Sequence, residues 1–366
     1  MMDKKVRIGI IGCGGIANGK HMPALSTLDD IEMVAFCDII EERAIKAAKQ
    51  YGIEGAKVYT DYKELLKDET IEVVHVCTPN RSHSFISIDA MEAGKNVMCE
   101  KPMAKSYAEA KAMYETSLKT GKLLTIGYQN RQCANNRYAK SVCANGEIGE
   151  AYYAKAIAIR RRAVPTWGVF LNEYEQGGGP LIDIGTHALD LTLYMMNNYK
   201  PKMVVGNTFR KLADNVEGGT GNAWGDWDPE KYTVEDSAFG YIVMENGAVV
   251  TVEASWALNV ADPREACFMI CGDKGGVDTC GKYPLAVNYV KHGRQALEIP
   301  NLEAGGAAFF EGASSKPEDI EARIWINAVK GEGELCVKPE QAMVVTQILE
   351  AIYESAKTGK PVFINE

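Results

Sequence analysis

The strongest constraint on this chain is a rhythm. Apolar runs at Val6–Ile11, Met33–Cys37, Val73–Cys77, Asn96–Cys99 and Leu123–Gly127 recur through the first third, with helix-periodic segments between them. The runs are continuous rather than alternating, the pattern of parallel strands covered by helices on both faces. Such strand and helix repetition folds as a doubly wound α/β domain.

The first run ends in Gly12-Cys13-Gly14-Gly15-Ile16-Ala17, a G-x-G-x-x-G/A turn. In that pattern Gly12 makes the tight turn, Gly14 admits a pyrophosphate, and Ala17 lets helix and strand approach. With 35 glycines in the chain, the turn alone is a weak signal. Its context carries more: a strand precedes it, a helix follows, and a second strand ends in Asp38 about 20 residues later. A carboxylate there accepts hydrogen bonds from both adenosine ribose hydroxyls and repels a 2′-phosphate, so the expected cofactor is NAD rather than NADP. The plainer alternative is that Asp38 caps the following helix, expected over Glu41–Tyr51.

Ligands of open parallel sheets sit at the carboxyl ends of strands. That rule brings Thr78-Pro79-Asn80-Arg81-Ser82-His83 and Glu100-Lys101-Pro102 to the cofactor's edge. The expected cofactor contacts are therefore Gly12, Gly14, Gly15, Ile16, Asp38, Thr78, Asn80, His83, Glu100 and Lys101. Pro102 fixes φ and gives Lys101 a defined position.

Forty Lys and Arg against forty-nine Asp and Glu leave a net charge of −9, which argues against a nucleic-acid partner. Arg160-Arg161-Arg162 is too short a basic run to change that reading. The apolar stretch Val6–Ala17 is broken by glycines and leads into polar sequence with no cleavage pattern, and no uninterrupted apolar window reaches membrane-spanning length. The expectation is a cytoplasmic protein without a membrane partner. Among ten cysteines, Cys13, Cys37, Cys77 and Cys99 end strand-like runs as small buried hydrophobes. No C-x-x-C occurs, and the five histidines lie outside zinc spacings, so no metal site is expected.

A second chemically loaded segment follows Gly177-Gly178-Gly179-Pro180, where proline in a first turn starts a helix expected to run to about Asn197. At 100° per residue, Asp183, Thr186, His187, Asp190 and Tyr194 fall within an arc of about 100°. Leu181, Ile182, Ile184, Ala188, Leu189, Leu191, Leu193 and Met195 occupy most of the remaining circumference. A polar stripe on a buried helix must meet partners or a wet cleft. The alternative is an ordinary Asp–His pair on a solvent face.

Beyond this helix, strands are expected at Ala151–Ile159, Met203–Phe209, Ser237–Met244, Ala248–Trp256 and Cys267–Cys271, with a hairpin turn at Glu245-Asn246-Gly247. Successive strands without intervening helices indicate antiparallel pairing. Late helices are expected over Pro317–Lys330 and Pro339–Thr358, with Gly359 as the stop. The glycine-rich segment from Asp214 to Tyr232 is too long for a tight turn. Its Trp224 and Trp227, with Trp167, suit the faces of a sugar ring or, equally, a subunit contact.

Three motifs in this order, Gly12 to Ala17, Glu100-Lys101-Pro102 and Asp183-Ile184-Gly185-Thr186-His187, resemble the Gfo/Idh/MocA oxidoreductases over essentially the whole chain. The resemblance implies a Rossmann domain over residues 1–127. It implies a substrate and oligomerisation domain over 128–366, an α/β domain with a large, open, mostly antiparallel sheet that commonly forms the dimer interface. It also implies cofactor contact by Gln129 and substrate contact by Tyr128, Arg162 and Trp167. Arg131 is either a substrate or an interdomain residue, and the chain departs from the family at Gln132, where an aromatic is common.

The reaction so implied is NAD-dependent oxidation of a secondary hydroxyl of a sugar, glycoside or polyol, with C3 of a glucoside as the refinement. Lys101, Asp183 and His187 form its catalytic set. His187 is the base for the hydroxyl proton, Lys101 stabilises the reacting oxygen, and Asp183 orients the substrate. Which of Lys101 and His187 takes the proton stays open at this stage. An inositol dehydrogenase, a glycosidase using NAD transiently and a non-catalytic dinucleotide sensor share the same fold.

Overall fold

The computed structural model describes residues 5–215, 217, 220–302 and 316–364. The chain divides into two compact units, Met1–Gln132 with Ala313–Met343, and Cys133–Gly312 with Val344–Glu366.

The first unit is built on six strands: β1 (Val6–Ile11), β2 (Ile31–Cys37), β3 (Lys57–Tyr59), β4 (Val73–Val76), β5 (Asn96–Glu100) and β6 (Leu124–Gly127). Their order is β3-β2-β1-β4-β5-β6, and every pairing is parallel. This is the doubly wound order, in which the strand sequence reverses beside β1 and opens a crevice at the strands' carboxyl ends. The continuous apolar runs become strands buried on both faces, with Ile8, Ile10, Val73, Val74, Val76 and Val97 fully buried. The expected helix Glu41–Tyr51 is present with those limits.

The chain returns to this unit near its end. The helix Pro317–Lys330 inserts Ala322, Trp325 and Ile326 into the core formed by Val6, Ile8, Met22 and Leu25. Arg323 and Lys330 both reach Asp30, at 2.8 and 2.5 Å. Against the upward push of burial, these two cations bring the Asp30 carboxyl down to about 2.

The second unit carries nine strands in the order β14-β13-β12-β11-β7-β10-β9-β8-β15. They are β7 (Ala151–Ile159), β8 (Pro201–Phe209), β9 (Ser237–Met244), β10 (Val249–Ser255), β11 (Arg264–Gly272), β12 (Gly275–Asp278), β13 (Ala286–Lys291), β14 (Arg294–Glu298) and β15 (Val362–Phe363). Register assigns the two faces. Val204, Ile242, Val250, Ala154, Ile270 and Val277 form one rung across six strands, and all are fully buried. One residue along, the rung Val205, Tyr241, Thr251, Lys155, Met269 and Asp278 points the other way and remains partly or wholly exposed. One face is thus core and the other open.

One pairing departs from the antiparallel expectation: β7 and β10 run parallel. The chain between them contains the short helix Glu173–Gln176, the longer helix that follows Pro180, and the strands β8 and β9, a crossover long enough to return in the same direction. The expected helix after Pro180 is also not uniform. It opens as a π-helical turn over Leu181–Gly185, continues as an α-helix over Thr186–Met196 and ends at Asn197 in the left-handed conformation, φ 47°. Among the described residues no helix is long and apolar enough to cross a membrane.

Candidate functional site

At the crevice of the first unit, Gly12 has φ +89°, and a Cβ there would stand 2.7 Å from the carbonyl carbon and oxygen of Cys77. Only glycine allows β1 to turn this close to the end of β4. A Cβ on Gly14 or Gly15 would meet no atom within 4 Å, so the loop borders open space. Ile16 is exposed beside it. Asp38, at the end of β2, accepts from the backbone of Cys13 at 2.8 Å through Oδ2 and of Ile40 at 2.9 Å through Oδ1. It therefore fixes the glycine loop, and each oxygen retains a lone pair for a second donor.

Thr78 follows β4, and its buried Oγ1 has no hydrogen-bond partner among the described residues. An open glycine turn, an anchored carboxylate and an orphaned hydroxyl are what a dinucleotide would complete. Asn80 begins the short turn Asn80–Ser82 that leads into the helix His83–Glu92. His83 is buried, and its two ring nitrogens lie 2.8 Å from the Pro102 carbonyl and 2.9 Å from the Thr78 carbonyl. Its ring ties together the two loops at the crevice. Burial lowers its affinity for a second proton while the two carbonyls raise it.

Glu100, the last residue of β5, lies behind this edge. One carboxylate oxygen accepts from Lys20 Nζ and from His21 Nε2, both at 2.7 Å, and the other from the Lys101 amide at 3.1 Å. Lys20 also reaches Glu321 at 3.0 Å and the Gln129 side-chain oxygen at 3.1 Å, and His21 Nδ1 faces His75 Nδ1 at 2.9 Å. Burial opposes ionisation of Glu100, but Lys20 and His21 hold its carboxyl well below the usual range. Burial likewise opposes the Lys20 charge, and Glu100 and Glu321 overcome it. The half-buried Lys101 follows directly, joined to Pro102 by a cis peptide bond. Tyr128 is fully buried, and Arg131, also buried, donates to the Cys336 carbonyl at 3.0 Å and to Gln341 at 2.8 Å.

In the second unit, Leu181, Ile182, Ile184, Ala188, Leu189, Leu191, Leu193 and Met195 are all buried, as the periodicity predicts. Asp183 and His187 are half-buried, whereas Thr186 and Asp190 are buried. Asp183 sits in the π-helical turn and accepts from the indole Nε1 of fully buried Trp256 at 3.0 Å. The glycine run before it makes a close passage, since a Cβ on Gly179 would lie 2.3 Å from the Glu235 carbonyl oxygen. The Glu235 carboxylate accepts from the amides of Gly179 at 2.8 Å and Leu181 at 3.2 Å, and from the Tyr353 hydroxyl at 2.8 Å. Burial pushes its carboxyl up to about 7 despite those donors.

Arg162 donates to the Arg161 carbonyl and to Asn259, both at 2.6 Å. Trp167 and Trp224 are in edge-to-face contact, centroids 4.8 Å apart, and both are exposed. Trp227, read from the sequence as facing either a sugar ring or a subunit, is buried, packs against Tyr232 and donates to the Ala213 carbonyl at 3.0 Å. Within that glycine-rich segment, residues 216, 218 and 219 lie outside the described residues.

Sequence reasoning missed Lys20, His21 and Glu235. Lys20 and His21 carried a signal, being polar neighbours of the apolar Ala17, Met22, Ala24 and Leu25 in a segment that must pack on β1. Glu235 carried none, because its partners are backbone amides 54 and 56 positions away.

A parallel six-stranded sheet with a glycine turn at its switch point, followed by a large mixed sheet bearing a polar-striped helix, defines a dinucleotide-dependent oxidoreductase. The chain belongs to the Gfo/Idh/MocA family: the oxidoreductase family's NAD-binding Rossmann fold matches residues 6–128, and its C-terminal α/β domain matches residues 140–364. It is 35% identical over 359 residues to D-glucoside 3-dehydrogenase of Escherichia coli K12, covering 98% of this chain and 97% of that one. Among solved structures it resembles the aldose-aldose oxidoreductase of Caulobacter crescentus, with 23% identity, a TM-score of 0.78, and 99% and 100% of the two chains covered. It also resembles levoglucosan dehydrogenase in complex with NADH and levoglucosan, with 22% identity, a TM-score of 0.83 and the same coverage. The N-terminal domain is therefore an NAD-binding Rossmann domain.

Proposed function

We propose that this chain oxidises a secondary hydroxyl of a sugar or glycoside, C3 of a glucoside foremost, with NAD as the acceptor. The observation that carries the reading is Asp183, held by the Trp256 indole at 3.0 Å in a π-helical turn, with His187 on the helix that continues it. π-Turns inside helices concentrate at functional sites, and this one presents the half-buried Asp183, with the half-buried His187 about one turn further on. The full-length likeness to a D-glucoside 3-dehydrogenase supports a glucoside as substrate.

NAD, when bound, supplies the acceptor for the hydride that leaves the carbinol carbon. Asp38 holds the adenosine ribose, Gly14 and Gly15 leave room for the pyrophosphate, and Thr78 Oγ1 donates to the dinucleotide. Asp183 accepts from a substrate hydroxyl and orients the ring. His187 takes the proton of the reacting hydroxyl, imidazole being a base that works near neutral pH. Lys101 donates to the same oxygen and stabilises the negative charge that develops as its proton leaves. Glu100 and His83 act behind it, one on the Lys101 amide and the other on the Pro102 carbonyl. The open face of the nine-stranded sheet, with exposed Val205 and Tyr241, is the surface on which a second copy would pack.

The deciding experiment supplies NAD with glucose, methyl glucosides, galactose and inositols, follows NADH absorbance, and maps the oxidised carbon of each product. A 3-keto glucoside with stoichiometric NADH is the expected outcome. Cleavage of the glycosidic bond with no net NADH would overturn it.

A further inference from the structure

The proposed reaction uses Asp183 and leaves unexplained the rings that run outward from it. Trp256, fully buried, donates to Asp183. Phe170 meets Trp256 edge-on at a centroid distance of 6.5 Å and an angle of 79°. Trp167 meets Phe170 at 5.7 Å, and Trp224 meets Trp167 at 4.8 Å and 88°. Trp256 is fully buried, whereas the two outer rings, Trp167 and Trp224, are 50% and 42% exposed. Two contacting tryptophans left half in water forgo a large burial gain, and contiguous exposed rings of this kind mark a binding surface.

The outer rings are held in place. Asn222 accepts from the Val164 amide at 2.8 Å and donates to the carbonyls of Val164 at 3.0 Å and Gly225 at 2.7 Å. The Ala223 amide donates to the Arg162 carbonyl at 3.0 Å, and Thr166 Oγ1 to the Trp224 carbonyl at 2.5 Å. These bonds join the loop bearing Trp224 to the loop bearing Trp167. Arg160 stands 5.3 Å over the Trp224 ring, its fork fixed on Glu265. The platform is organised before any ligand arrives, which lowers the ordering cost of binding.

We infer that Trp167 and Trp224, with Phe170, form an aglycone subsite that stacks on the flat ring joined to the glucosyl unit through its glycosidic oxygen. The inference rests on the glucoside reading above, because only a group attached to the reacting sugar extends outward from Asp183. The size of the platform agrees. A tryptophan buries roughly 150–250 Å², so two half-exposed rings fall well short of the about 800 Å² per partner of a stable protein interface. The occupant is a single ring presenting a π-face or a C–H face.

The test compares phenyl β-glucoside, cellobiose and methyl β-glucoside as substrates for the unaltered protein and for Trp224→Ala, Trp167→Ala and Trp224→Phe. Each alanine variant is expected to lose about five- to tenfold in kcat/KM on the two ring-bearing glucosides, with methyl glucoside changed by less than about twofold. Trp224→Phe is expected to recover most of the loss. An equal effect on all three substrates overturns the subsite, as does an unchanged substrate ratio accompanied by a change in oligomeric mass, which assigns the rings to an interface. Absence of turnover on every glucoside by the unaltered protein defeats the reaction, not the subsite. Calorimetric titration of phenyl against methyl glucoside, with NAD present, then decides it: tighter binding of phenyl glucoside that Trp224→Ala abolishes supports the subsite, and equal affinities overturn it.

Discussion

The carboxylate of Glu235 lies 2.8 Å from the amide nitrogen of Gly179, directly before the turn that carries Asp183. A buried acid therefore anchors the base of the helix that the proposed chemistry depends on. The first amides of a helix have no partners of their own, and here one side chain satisfies those of Gly179 and Leu181. The titratable groups against it are Tyr353, which donates to it, and Tyr232, whose phenol is pushed upward by burial and by Asp236 and Glu235.

Glu235 titrates in the folded protein at about 7, above its ordinary 4.5. The folded state thus holds this proton more tightly than the unfolded chain does. Its contribution is fully present below pH 4.5 and is lost as pH rises through about 7, by roughly 3 kcal/mol at most. Subtracting the melting profile of Glu235→Gln isolates the group. The stability of the unaltered protein relative to the variant is expected to fall between pH 5 and pH 8. A flat difference would show that Glu235 keeps an ordinary acidity.

Lys20 is a buried ammonium between Glu100 and Glu321, at 2.7 and 3.0 Å. Removing one charge from such a cluster leaves another uncompensated in the interior. Glu100→Gln is expected to cost about 3–5 kcal/mol in denaturant unfolding of the first unit. The companion Lys20→Met/Glu100→Leu/Glu321→Leu triple variant should recover part of that, because replacing every member of the charge cluster with apolar groups of similar size is far less costly than removing one. A triple variant no more stable than Glu100→Gln contradicts this account.

Both oxygens of Asp38 accept backbone donors, so Asp38→Asn must turn its amide against one of them. A loss of about 1–3 kcal/mol in stability is expected from that alone. The structural and recognition roles separate in the cofactor preference. If the carboxylate also meets the ribose, the variant's ratio of kcat/KM for NAD over NADP falls by about tenfold or more. An unchanged ratio with reduced stability would leave Asp38 as an anchor of the glycine loop only.

Legibility from the sequence followed the range of the interactions. Strand β1, the helix Glu41–Tyr51 and the helix Pro317–Lys330 are set by local periodicity and local breakers, and their limits agree with expectation. Strand β3 carries no apolar run, because it is a three-residue edge strand with no buried side chain, and it escapes any periodicity argument. That Trp325 belongs to the core of Ile8 and Met22 is equally invisible, since amphipathicity states that a face is buried and not against what. The site divides in the same way. Gly12 and Asp38 announce themselves by spacing, whereas the bonds of His83 to the Thr78 and Pro102 carbonyls arise only when two strand ends are brought together. The π-helical turn at Asp183 has no counterpart in a pattern built on 3.6 residues per turn.

Lys101 directly follows β5, Asp183 lies in the π-helical turn and His187 on the helix that continues it, and the proposed reaction has Lys101 and His187 act on one oxygen. Lys101→Met and His187→Asn are each expected to lower kcat by about 10²- to 10⁴-fold while the affinity for NADH, read by fluorescence, stays within about threefold. Such losses alone do not establish a shared target. The double variant does: groups that serve the same transition state are strongly non-additive, so once one is gone the second removal costs little. The double variant is expected to be no more than about tenfold slower than the poorer single variant. Free energies of activation that simply add would mean that the ammonium and the imidazole act independently, and the proposed division of labour between them would have to be abandoned.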